Sequence, residues 1–159
     1  MNADEINRQK VMQLATAKVG QPWVCSVYFV VDDGKFYWLS LPDRRHSREL
    51  AQNKKAAVTI AIKQSMPVIG LQGEGTVRTV RNLDEIERVL AAYVKKYKQG
   101  MNFVERFKKG ENRHMLYCLT PREIMLFDES NLVDAPYRRI TIDATQLSSS
   151  ALQRVGKVR

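Results

Sequence analysis

A chain of 159 residues of which 44 % are hydrophobic has the size of one domain and enough apolar content to bury a core, which excludes an intrinsically disordered segment. Its 26 Lys+Arg against 17 Asp+Glu leave a net charge of +9, a balance that favours nucleic acid, an anionic membrane or a phosphorylated ligand without choosing among them. No apolar run reaches the ~18 residues of a membrane helix, and two Cys and two His without close His/Cys spacing argue against a metal centre.

The first ten residues, MNADEINRQK, lack the apolar stretch of a secretory signal, so the expectation is a cytoplasmic protein whose Cys25 and Cys118 are free buried thiols. Residues 3–18 read as an amphipathic helix: Asn2 and Asp4 are candidate caps, Val11, Leu14, Ala15 and Val19 follow helical spacing, and Gly20-Gln21-Pro22 ends it. Residues 23–31 form a strand with Cys25, Val27, Phe29 and Val31 on its apolar face. Asp32-Asp33-Gly34 is a hairpin signal, and 35–41 return as the partner strand. A short helix over 46–53 leads to a third strand over 56–62.

After Met66-Pro67 the run VIGLQGEGTVRTV is a fourth strand whose Gly70, Gly73 and Gly75 fit the curvature of a barrel. Residues 82–97 are the clearest helix, with apolar positions at three- and four-residue spacing and a capping box from Asn82 to Glu85. A shorter helix, MNFVERFKK, follows. Then come the strand-like HMLYCLT and EIMLFD on either side of Pro121, and YRRITID. The order has little parallel βαβ alternation and reads as an antiparallel sheet or small barrel with helices outside. One domain over 1–143 with a frayed polar tail over 144–159 is expected.

The chemistry-bearing residues are few. No serine or cysteine sits in a nucleophile motif beside His46 or His114. GLQGEG lies inside a strand and cannot present amides to phosphate as a strand-to-helix loop does, and Asp32-Asp33 belongs to a turn. No catalytic side chain is nominated. What remains is LSLPDRRHSREL, where a strand ending at Ser40 hands over to a helix through Arg44, Arg45 and His46. Arginine forks and a helix N-terminus both suit a phosphate monoester; an exposed basic turn explains the same residues.

The run LSLPDRRHSRELAQNKKAAVTI resembles the flavin-binding segment of the pyridoxamine 5'-phosphate oxidase-like family, the FMN-binding split barrels. Arg45-His46 falls on that family's Arg-Lys pair, and Asn53-Lys54-Lys55-Ala56-Ala57-Val58 takes the place of its Asn-Pro run. LQGEGTVRTV is similar to its Ile-Glu-Gly strand, and LYCLTPREIMLFD to the hairpin near its C-terminus.

The resemblance implies a six- to seven-stranded antiparallel split β-barrel, mainly β with flanking helices. It implies FMN in the groove of a homodimer and oxidoreductase activity on an unknown small-molecule substrate. Carried over, Arg45 and His46 hold the phosphate, Arg44 and Ser40 assist, and Val24, Cys25 and Leu39 lie along the ring. The departures are informative. Histidine at 46 makes one phosphate charge depend on pH. Trp23 and Tyr28 stand where the true oxidases carry Arg and Lys, and no Arg-x-His substrate motif follows, so pyridoxamine phosphate is not the expected substrate. One extra residue between Gly34 and Arg45 leaves Arg44-Arg45 or Arg45-His46 as the phosphate pair.

Two rival readings differ in class. One is a non-catalytic flavin, haem or deazaflavin binder of the same fold, with His46 or His114 as a haem ligand. The other is a basic nucleic-acid-binding barrel in which Trp23, Tyr28, Phe36 and Trp38 stack bases.

Overall fold

Residues 11–18 form a strand, not the continuation of an N-terminal helix. The computed structural model describes residues 3–100, 102–131 and 137–142. In it helix α1 covers only Ala3–Asn7, and Val11–Lys18 is strand β1. Met12, Leu14 and Thr16 of β1 are buried while Val11 and Gln13 are exposed, a period of two. Val11, Leu14 and Ala15 fit a helical period equally well, and pairing settles the ambiguity. β1 runs antiparallel to β2 (Gln21–Tyr28) with Lys18 opposite Gln21, so Val19-Gly20 is a two-residue hairpin loop. Both loop residues have positive φ, 49° and 78°, as tight hairpin turns require. Gly20 is therefore a turn residue. Pro22, opposite Ala17, is tolerated because β2 lies at the end of the sheet order.

The strand expected over 23–31 is two strands. β2 pairs with β1, and β3 (Val30–Asp32) pairs instead with β4 (Lys35–Ser40). The sheet runs β2-β1-β5-β6-β7-β4-β3, with β5 Lys55–Lys63, β6 Ile69–Thr79 and β7 Met115–Asp128. One stretch of chain thus supplies both ends of the sheet, which forces the curl of a split barrel. Every pairing is antiparallel, and β8 (Tyr137–Arg139) adds to the second half of β7. The Asp33-Gly34 turn is as expected, with φ of 48° and 68°.

At the crossing point the ladder is interrupted, and helix α3 (Leu83–Tyr97) supplies the missing partners. The Phe29 N–H donates to the Tyr97 hydroxyl at 2.8 Å, and Lys96 Nζ donates to the Phe29 carbonyl at 2.6 Å. Buried backbone groups are satisfied in this way where a sheet cannot do it. Burial, and then the charge of Lys10, pushes the Lys96 ammonium down to about 7. Its charged form is therefore disfavoured in the folded chain, and the unfolded chain binds more protons above pH 7, so stability rises with pH there. Tyr93 and Tyr97, both raised by burial, stay neutral in this window. The unfolding midpoint is expected to increase from pH 7 to 8.5, and Lys96→Met is expected to flatten that rise; an unchanged slope in the variant would assign it elsewhere.

Two apolar layers follow. Met12, Leu14, Phe29, Phe36, Trp38, Ile60 and Leu71 fill the inside of the curl. Tyr37, Val89, Leu90, Leu116 and Cys118 pack between the sheet and α3 with α4 (Asn102–Lys108). Asn82 caps α3, its side chain accepting from the Glu85 N–H at 2.9 Å. The Glu85 carboxylate does not close the capping box; it accepts from Tyr37 Oη at 2.8 Å and from Arg78 Nη2 at 2.6 Å. Cys25 and Cys118 are free thiols as expected, but only Cys118 is buried; Cys25 is half-buried.

The run around Pro121 is one 14-residue strand, not a hairpin. Glu74 faces Glu123 and Gly75 faces Pro121, so Arg122 is the extra residue of a bulge that absorbs the proline's missing donor. Here glycine is obligatory: a Cβ on Gly75 would lie 2.1 Å from the Thr120 carbonyl oxygen. No helix among the described residues is long and apolar enough to cross a membrane. The tail over 144–159 lies outside the described residues.

Candidate functional site

The strand-to-helix handover is built on a turn. Leu41 accepts from the Arg44 N–H at 3.2 Å, closing Leu41-Pro42-Asp43-Arg44, with proline where its fixed φ suits a turn. Helix α2 (Arg45–Gln52) starts directly after it, with Arg44 as an extended N-cap residue whose side chain makes no capping bond. Among the described residues no side chain caps the first-turn amides of α2, whereas Asn82 does so for α3.

Helix α2 lies across the end of the barrel beside β1 and β2. Glu49 is buried and holds two elements together: Oε2 accepts from Thr16 Oγ1 at 2.5 Å and Oε1 from Arg45 Nε at 2.8 Å. The Arg45 guanidinium lies 4.1 Å from the centre of the Trp23 ring, a cation–π contact. It borders a recess of about 340 Å³ lined by Lys18, Gln21, Arg45, Arg48 and Glu49. Hydrogen bonds from Thr16 and Arg45 hold the Glu49 carboxyl below its ordinary range. Its contribution to stability is thus present at neutral pH and lost as pH falls through the depressed value. Glu49→Gln is expected to lower the unfolding midpoint at pH 7 and to narrow the gap to wild type in acid; a gap independent of pH would mean that the carboxylate's charge contributes nothing.

His46 does not sit where sequence reasoning placed it. It is buried, with Nε2 2.6 Å from Ser40 Oγ and Nδ1 3.3 Å from Cys25 Sγ. Ser47 Oγ donates to Ser40 Oγ at 3.2 Å. Burial, and then the charge of Arg44, pushes the imidazole down, so it is neutral at neutral pH and offers no pH-dependent charge to an outside ligand. Burial, and then Glu49, pushes the Cys25 thiol up. The pair is therefore a neutral thiol and imidazole, not the ion pair of an activated nucleophile. It ties β2, β4 and α2 together.

The remaining expected residues separate. Ser40 and Cys25 converge on His46, while Arg44 and Arg45 stay at the surface. Leu39 points to the other side of the sheet and packs with the α3 layer, because neighbouring strand residues alternate between faces. Val24 is 60 % exposed on the outer face of β2. Of the four aromatics that could have stacked bases, Phe36 and Trp38 are fully buried, so they are core residues. His114 is exposed, beside Asn112. Among the described residues no group of three His, Cys, Asp or Glu gathers to hold a metal ion.

Glu49 and Thr16 were not expected here. The Arg45–Glu49 spacing of four was legible as a helical ion pair. Thr16 was hidden by the helical reading of β1.

The sequence matches the family model described as Pyridoxamine 5'-phosphate oxidase over residues 2–128. Among curated proteins none matches it in sequence. Several solved structures share its fold. A conserved hypothetical protein from Mycobacterium tuberculosis has a TM-score of 0.69 at 18 % identity, over 82 % of this chain and 84 % of that one. HutZ, the heme storage protein from Vibrio cholerae, has 0.63 at 20 % identity, over 79 % and 89 %. A FAD-binding protein from Mesorhizobium loti has 0.56 at 17 % identity, over 78 % and 90 %.

Proposed function

Since the chain belongs to the pyridoxamine 5'-phosphate oxidase family, we propose that it is an FMN-binding oxidoreductase whose phosphate site is the N-terminus of α2. The observation that carries this reading is the uncapped first turn of α2 flanked by Arg44 and Arg45, next to a polar recess. Unbonded amides and a positive helix end suit a phosphate monoester. Arg45 spends only Nε on Glu49, so among the described residues its two Nη groups remain for a ligand. The donor set fits FMN with Arg44-Arg45 as the phosphate pair; His46 orients from beneath through Ser40. Cys25 and Val24 belong to the adjoining strand, β2. Leu39, on the opposite face, is a support of the sheet.

Bound there, the flavin would supply the electron chemistry. This chain's contribution is to fix its phosphate and to keep Cys25 and His46 neutral beneath it. Trp23 and Tyr28 leave no cation along β2 for a second phosphate, so the substrate is not pyridoxamine phosphate. A homodimer completes the reading. The outer face of β1 and β2 exposes Val11 (42 %) opposite Tyr28 (58 %), with Val24 (60 %) further along, an apolar strip that a second subunit would cover.

The visible spectrum of the purified protein, with mass spectrometry of whatever acid releases, tests the proposal. A yellow protein releasing FMN is the expected result. A sharp violet absorption band and released haem would replace the reading with haem binding. A colourless chain that does not take up added FMN would end it.

A further inference from the structure

On the other side of α2 from Trp23 lies a cavity of about 530 Å³, within the range of small-molecule sites. Its walls are set by backbone bonds: the Val77 N–H donates to the Lys54 carbonyl at 2.8 Å, and the Val80 N–H to the Leu116 carbonyl at 2.8 Å. Its apolar side is Leu50, Val77, Met115 and Tyr117. The Tyr117 ring is held by stacking on Trp38, 5.5 Å between centres at 12°.

The polar side is strongly cationic. Arg48, Lys54, Arg78 and Arg81 all line the cavity, and no carboxylate does. Arg78 is neutralised by Glu85 at 2.6 Å. Glu49, within α2, directs its carboxylate to Thr16 and Arg45 and does not line the cavity; Asp43, just before α2, turns its carboxylate to Arg113 at 3.4 Å and offers Arg48 only its backbone carbonyl, at 2.9 Å. Lys54 and Arg81 have no acidic partner among the described residues. Three uncompensated cations beside an aromatic and aliphatic wall are the complement of a ligand with a ring at one end and about two negative charges at the other.

We propose that this cavity is a second ligand site, distinct from the flavin phosphate site, that takes an aromatic phosphate or dicarboxylate. The charges grip the anionic head, and Met115 and Tyr117 contact the ring. Arg48 borders both this cavity and the recess beside Arg45, so the two sites share one side chain. The proposal rests on the cavity alone and stands whether or not flavin binds next to Trp23.

The test uses the full chain carrying methionine labelled with ¹³C at its methyl group, the Met115 signal being assigned with Met115→Leu. The probe is 1-naphthyl phosphate, titrated with and without excess FMN. The expected result is a saturable shift of the Met115 methyl, unaffected by FMN. The double variant Lys54→Glu/Arg81→Glu changes two exposed side chains. It should weaken the probe at least about tenfold, given what charge-assisted contacts contribute, while circular dichroism shows the fold intact. Neutral 1-naphthol should bind more weakly than the phosphate. A Met115 signal that does not move at millimolar probe, or an affinity unchanged by the charge reversal, overturns the proposal. Displacement of the probe by FMN also overturns it, since the cavity would then be the flavin's own site.

Discussion

Gly75→Ala is expected to destabilise the fold by about 3 kcal/mol or more, among the larger effects of a single substitution. A Cβ at this position would meet three backbone atoms, the Thr120 carbonyl oxygen at 2.1 Å, the Pro121 Cα at 2.8 Å and the Thr120 carbonyl carbon at 2.9 Å. Backbone cannot rotate away as a side chain would. The residue also sits at the register shift between β6 and β7, where accommodation would have to move a ladder that both strands extend far beyond the bulge. Gly70→Ala is the control: the nearest atom to its Cβ is the Ile60 carbonyl oxygen at 3.9 Å. A strand alanine there should be neutral or stabilising by up to about 1 kcal/mol. Urea unfolding of the two variants measures the difference. Equal midpoints would mean that the bulge yields easily and that the close approach at Gly75 contributes little.

Arg45→Ala is expected to weaken FMN about ten- to a hundredfold. Hydrogen bonds to charged groups contribute roughly 1.5–3 kcal/mol each, and about 1.4 kcal/mol is a factor of ten in affinity. The substitution also frees Glu49, whose carboxylate pairs with Arg45 at 2.8 Å, to repel the phosphate. Riboflavin, with no phosphate, should lose far less. Arg45→Lys should recover part of the FMN affinity, because a point charge replaces a planar fork, and it should also loosen the contact with Trp23. The burial of His46 adds a second expectation. FMN affinity should not strengthen between pH 8 and 6 through imidazole protonation, which burial and Arg44 oppose. Titration of apo-protein with both flavins at the two pH values decides. Equal losses for FMN and riboflavin would show that Arg45 supports the fold or the ring, and no loss for either would leave it as an exposed helix residue.

Much of the molecule is legible in the order of its residues. The Asp33-Gly34 hairpin, α3 with its Asn82 cap, and the strands on either side of α2 are local: each depends on turn chemistry, on one helical period or on one alternation that neighbouring residues carry themselves. The family resemblance over the α2 segment is equally local, because it lies in Arg45-His46 and the run from Asn53 to Val58 at fixed spacing. The errors also share a cause. Val11–Lys18 satisfies two periods at once, and only the ladders to β2 and β5 choose between them.

Residues 23–31 look like one strand because nothing in their side chains says that the partner changes at Phe29. That change follows from closing the sheet on itself, and its polar cost is met by Tyr97 and Lys96, 68 and 67 residues away in sequence. His46 shows the same division at the site. Its place beside Arg44 and Arg45 at the start of α2 is readable from order along the chain. Its direction is set by Ser40 and Cys25 on two other elements, so the residue that sequence offers as a charge becomes a buried neutral link. Local sequence determined the Asp33-Gly34 turn, the capped helix α3, and α2 with the strands on either side of it. Only the tertiary structure decided which side chains of the α2 segment are buried and which stay at the surface, because facing is a relation between elements that no single segment contains.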